Sequence, residues 1–102
     1  MLPMHEEELD LVFKALAHTE RRRILFSLHE KANQSLFEIC AHSYGQDGKA
    51  LSRQTVSQHL DALERAGLLA VTWQGRTKMH SINEKPLRSA IQTLANKINY
   101  GA

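Results

Sequence analysis

Apolar side chains recur along most of this chain at three- and four-residue spacing, the period of one face of an α-helix. In residues 6–17, "EEELDLVFKALA", the stripe is Leu9, Val12, Phe13 and Leu16, and the acids of the first turn sit where the helix dipole favours negative charge. Residues 19–30, "TERRRILFSLHE", predict a second helix that starts at a Thr19 cap and buries Ile24, Leu25 and Leu28. Residues 35–44, "SLFEICAHSY", predict a third. Ser35 followed three residues on by Glu38 is a capping-box pattern, and Leu36, Ile39 and Cys40 supply the buried face. The glycines of "GQDGKA" mark a loop. Residues 51–67, "LSRQTVSQHLDALERAG", then predict a helix of about four turns, capped by Ser52, ended by Gly67 and striped by Val56, Leu60 and Leu63.

Beyond Gly67 the pattern changes. "LLAVTW" (68–73) and "TKMHSI" (77–82) have strand-like content on either side of "QGR", which predicts a β-hairpin. The last segment, about Asn83 to Tyr100, has Pro86 early, where a first helical turn tolerates it, then a stripe of Leu87, Ala90, Ile91, Leu94 and Ile98. The expected fold is therefore mainly α with a small β-hairpin, in the order α-α-α-α-β-β-α. Strands and helices do not alternate, which argues against a parallel sheet.

A length of 102 residues with 42% hydrophobic content suits one domain spanning residues 1–102 and leaves little room for an enclosed catalytic pocket. One cysteine excludes an internal disulfide and suits a reducing, cytoplasmic setting. The acidic start, "MLPMHEEELD", is not a secretory signal, and no apolar run is long enough to cross a bilayer, so no membrane partner is expected. Residues 1–10 hold Glu6, Glu7, Glu8 and Asp10 without a Lys or Arg. With the whole chain at +2, these residues carry −4 and the remainder +6. That segregation suits a surface facing nucleic acid, although solvated charge alone also explains it.

The fourth helix carries the candidate chemistry. Its front holds Arg53, Gln54, Thr55, Ser57, Gln58 and His59, without the Glu and Lys pairs of an ordinary solvated helix surface. Short helices followed by a hairpin make a winged helix-turn-helix, in which the front of the recognition helix meets base edges in the major groove. Gln pairs with adenine, Arg with guanine, Ser and Thr with either, and a Thr methyl packs on thymine. Gln74, Arg76 and Lys78 lie at or beside the hairpin tip, placed for backbone contact. Arg21, Arg22 and Arg23 form the densest positive run. Arg22 is a candidate for DNA contact, with pairing of Arg22 or Arg23 to Glu20, Asp61 or Glu64 as the competing reading.

Taken together, "LVFKALAHTERRRILFSL", "LSRQTVSQHLDALERAGLL" and "WQGRTKMHSIN" resemble the ArsR/SmtB family of bacterial winged-helix regulators over about residues 11–83. The resemblance implies a homodimer built from the first and last helices. It would bind an imperfect inverted repeat in double-stranded DNA, repress its own or a neighbouring operon, and leave when an effector binds. Leu9, Val12, Phe13, Leu87, Ile91, Leu94 and Ile98 are the candidate dimer residues; closing the chain's own core is the alternative use of the same stripes. Effector identity stays open. With the chain ending just past its last helix, an effector is expected to bind within the dimer itself.

Many relatives sense metals. The family's thiolate site falls here on "EICAH", leaving Cys40 and His42, which point to different sides of a regular helix, and Cys40 also lies on the apolar stripe. Its other site needs Asp, His and Glu on the last helix, where this chain has neither His nor Asp. No metal or other cofactor is expected, Cys40 and His42 being the sole candidates. No nucleophile-base pattern or phosphate loop argues for an enzyme. A winged-helix module that binds protein instead of DNA is the alternative. It would call for an acidic or apolar recognition face, which residues 53–59 lack. The loop at 44–51 is longer than a tight helix-turn-helix needs, and its role stays open.

Overall fold

The computed structural model describes residues 4–98. Five helices and three strands follow one another as α1 (Glu6–Leu16), α2 (Thr19–Glu30), β1 (Gln34–Ser35), α3 (Leu36–Ala41), α4 (Arg53–Arg65), β2 (Leu69–Gln74), β3 (Thr77–Ile82) and α5 (Lys85–Lys97). The expected order holds, with one strand added. The sheet is antiparallel in the order β1-β3-β2, so the hairpin is completed by two residues lying just before α3.

Local chemistry explains the boundaries. The Ser35 hydroxyl accepts from the Glu38 N–H at 3.1 Å while the Glu38 carboxylate accepts from the Ser35 N–H at 3.1 Å, the reciprocal capping box. The Ser35 N–H, followed by the Lys31 ammonium at 3.1 Å, holds the Glu38 carboxyl below its ordinary pKa. At α4 the Ser52 hydroxyl accepts from the Thr55 N–H at 3.1 Å. Gly67 ends α4 at φ +79, a left-handed conformation unfavourable to other residues. Gly75, at φ +61, allows the two-residue turn between the paired residues Gln74 and Thr77.

Two boundaries differ from the sequence reading, and one strand was not foreseen. The third helix begins at its Ser35 cap as expected, but residues 34–35 also pair with β3, where Asn33 at φ 56 bonds the Ser81 hydroxyl through its amide and its side-chain oxygen, at 3.0 and 3.1 Å. Helix α3 stops at Ala41 instead of residue 44; the His42 and Ser43 N–H groups turn to the i−3 carbonyls of Ile39 and Cys40, at 3.1 and 3.2 Å, tightening the last turn and ending the helix. The cap of α2 is His18, with Thr19 already inside the helix. The part of the last helix expected beyond Ile98 lies outside the described residues.

The main core gathers Ile24, Leu25 and Leu28 of α2, Ile39 of α3, and Val56, Leu60 and Leu63 of α4, closed by Leu68 and Leu69. A second cluster joins Leu9 and Val12 of α1 to Ala90 of α5. The loop between α3 and α4 is ordered: Tyr44 bridges Ala50, and the Gly45 N–H donates to the Lys49 carbonyl at 2.9 Å.

Candidate nucleic-acid interface

Anchoring α4 by Val56, Leu60 and Leu63 leaves the opposite side of the helix free. Arg53, Gln54, Ser57 and Gln58 are exposed, and among the described residues nothing hydrogen-bonds their side chains. Thr55 is half-buried, and its hydroxyl is held by the Ser52 hydroxyl at 2.8 Å. That contact makes Thr55 part of the cap; its oxygen accepts there, leaving its own O–H and its methyl group for other contacts.

His59 is half-buried too. The Arg21 Nε–H donates to His59 Nδ1 at 3.2 Å, so the neutral ring carries its proton on Nε2 and presents a donor there. The His18 ring lies 6.3 Å away, tilted. Partial burial and then the Arg21 charge hold the His59 pKa below 6.5; His18 adds to the lowering and Glu20 opposes it. The unfolded chain therefore takes up this proton first as the pH falls. Stability from His59 is expected to be complete above about pH 6.5 and to decline as the pH drops from there towards the folded value. Urea midpoints measured across that window would show the decline, and His59→Gln should flatten it. Glu38 acts in a separate window, below 4.5.

The arginine run has a structural use that residue spacing did not disclose. Arg22 Nη1 donates to the Leu16 carbonyl at 2.6 Å and Nη2 to the Thr19 hydroxyl at 3.4 Å, while Arg21 Nη1 donates to the Lys14 carbonyl at 3.4 Å. Both guanidinium groups satisfy carbonyls at the end of α1, where helix geometry leaves acceptors unpaired. Of the three acids weighed as partners for Arg22 or Arg23, Asp61 pairs instead with Arg65 at 3.2 Å and Glu64 with Lys78 at 2.8 Å, and among the described residues Glu20 forms no ion pair with either arginine. Arg22 thus braces the helix junction while staying exposed, and Lys78 ties the hairpin to α4. Gln74 and Arg76 stay exposed at the hairpin tip.

The structure divides the apolar residues of the first and last helices. Leu9 and Val12 are buried inside the chain and Leu87 is half-buried beside the main core, so they serve the chain's own packing. Leu11, Phe13, Ile91, Leu94 and Ile98 remain exposed, the last three at i, i+3 and i+7 on α5. Cys40 packs against the main core, whereas His42 is exposed at the end of α3. Among the described residues no three His, Cys, Asp or Glu side chains cluster in a way that would hold a metal ion. Nor is any described helix long and apolar enough to cross a membrane.

A helix-turn-helix made by α3 and α4, followed by the β2-β3 wing, defines a winged helix-turn-helix domain. Residues 16–72 match the helix-turn-helix domain family. The chain is 31% identical over 83 residues to YuzN, an uncharacterised HTH-type transcriptional regulator of Bacillus subtilis, covering 81% of this chain and 90% of that protein. Its fold matches an ArsR-like transcriptional regulator from Rhodococcus sp. RHA1 at 29% identity and TM-score 0.76, over 91% of this chain and 80% of the other. It also matches, at 21% identity and TM-score 0.65, the homodimeric winged helix-turn-helix DNA-binding domain of a possible ArsR-family regulator from Mycobacterium bovis, over 100% of this chain and 94% of that one. The chain belongs to the ArsR-type helix-turn-helix transcriptional regulators, a family of DNA-binding proteins and not of enzymes.

Proposed function

We propose that this protein is a homodimeric repressor that reads an imperfect inverted repeat at its own or a neighbouring operon in the cytoplasm and is released by an effector. The observation that carries the proposal is the free polar front of α4: Arg53, Gln54, Ser57 and Gln58 project without partners from a helix whose other face is locked in the core. Uncommitted amide and guanidinium groups are the chemistry that discriminates base edges. Arg76 at the wing tip supplies phosphate contact, which adds affinity without selectivity. The exposed Phe13, Ile91, Leu94 and Ile98 support pairing of two copies through α1 and α5, and the homodimeric state of the mycobacterial domain agrees with it.

The test is a fluorescence anisotropy titration of the duplex upstream of the protein's own gene against a scrambled duplex of equal length, with stoichiometry from sedimentation. Expected are two chains per duplex and a preference of about a thousandfold or more for the native sequence at physiological salt. Equal, weak binding to both, near the roughly 10⁻⁴ to 10⁻⁶ M of non-specific contact, would favour a protein-binding winged module instead.

A further inference from the structure

The hairpin carries an apolar stripe past the end of the core. Alternation puts Leu69, Val71 and Trp73 on one face of β2, opposite Ile82, His80 and Lys78 of β3. This face turns towards α4, because Lys78 on it reaches Glu64. Burial falls away along the stripe: Leu69 is 7% exposed, Val71 half-buried and Trp73 64% exposed. Trp73 therefore lies on the inner side of the wing, left largely uncovered by the described residues. Across from it, at the start of α3, Phe37 is 81% exposed. Between the two rings runs a groove of about 680 Å³, walled by α4 and the wing and lined also by Arg53 and Arg76. Large exposed aromatic surface of this kind marks a contact site more often than accident.

Charge identifies the occupant. The two acids of the groove, Asp61 and Glu64, are neutralised by Arg65 and Lys78, whereas Arg53 and Arg76 have no ion-pair partner among the described residues. The groove thus offers two free guanidinium groups beside two bare rings. A chain that alternates anionic and apolar groups matches this lining, and the sugar-phosphate backbone of DNA is such a chain. The groove is also continuous with the front of α4 through Arg53 and Ser57. We propose that Trp73 and Phe37 clamp one backbone strand of duplex DNA in this groove, their rings against deoxyribose and the neighbouring phosphates on Arg53 and Arg76. This rests on the DNA-binding reading and adds to it two contact residues and the path of the strand.

Trp73 is the sole tryptophan of the chain, so its emission reports on the groove directly. Backbone contacts do not depend on sequence, and a generic duplex at low salt therefore suffices as the probe. The full chain is titrated while DNA anisotropy and Trp73 emission are followed together. Trp73 emission should change and saturate with the anisotropy. Trp73→Ala and Phe37→Ala should each weaken binding about five- to thirty-fold, an effect just short of an interface hot spot, and Trp73→Phe should recover most of that loss. Both side chains are exposed, so circular dichroism and thermal midpoints should match the parent. A rise in anisotropy with unchanged Trp73 emission and parent-like variants would overturn the clamp while leaving DNA binding intact. Tighter binding to the single strand than to the duplex would overturn the duplex assignment. Loss of the dimer in either variant would transfer the rings to the protein interface, and absence of any duplex binding would remove the clamp and the DNA reading together.

Discussion

Gln58→Ala is expected to weaken binding to the native operator by about 5- to 150-fold, equivalent to roughly 1–3 kcal/mol for one bidentate base contact, while binding to scrambled DNA changes little. The expectation comes from two facts about the residue. Gln58 is exposed on the free front of α4, and no described side chain occupies its amide, so nothing competes with a base edge. Burial is unchanged by the substitution, so the folded population should be as well. Parallel titrations of native and scrambled duplexes measure the difference. Equal loss on both would make Gln58 a backbone contact and pass the reading role to its neighbour Gln54.

The second large effect concerns the opposite side of the same helix. Leu63→Ala should destabilise the fold by about 2–5 kcal/mol, the cost of removing a buried leucine and leaving a cavity. Leu63 is fully buried in the main core, in the same cluster as Leu28, Ile39 and Leu68. Against a typical domain stability of about 5–15 kcal/mol, that loss is large enough to populate unfolded chains. Urea unfolding at a fixed protein concentration measures it, since the proposed dimer would make the midpoint concentration-dependent. A loss below about 1 kcal/mol would mean that the site collapses around the smaller side chain and that α4 is anchored mainly by Val56 and Leu60.

The two predictions separate the roles that one helix combines. Positions 56, 60 and 63 hold α4 in place, and positions 53, 54, 57 and 58 face outward. Loss of a front residue should leave melting unchanged and lower selectivity. Loss of a stripe residue should lower melting and reduce binding only as far as folded protein is lost.

Much of this was legible before any coordinates. The helical stripes, the Ser35-Glu38 and Ser52 caps, Gly67 and the two strands around "QGR" are local signals, each set by residues a few positions apart, and they predicted the order of elements and the winged arrangement. The polar front of α4 was equally plain, since a helical period divides its residues into two faces. The two-residue β1 was not. Its partner lies some 45 positions later, at Met79 and His80, and so short a strand has no period of its own.

Interactions between distant residues had to await the tertiary structure for the same reason. Arg21 and His59 are 38 positions apart, and their bond depends on how α2 crosses α4. That Arg22 reaches back to the end of α1, at 2.6 Å from the Leu16 carbonyl, depends likewise on how α1 and α2 meet. Whether an apolar helical residue closes its own chain or awaits a second one depends on what lies opposite. Val12 meets Ala90 and disappears from the surface, whereas Ile91, Leu94 and Ile98 remain exposed on α5. Alternation along β2 places Trp73 on the inner face of the wing, but only the packing shows that the core ends before reaching it. Local order follows from the spacing of residues along the chain; a shared surface follows from which elements pack together, and that depends on contacts distributed over the whole domain.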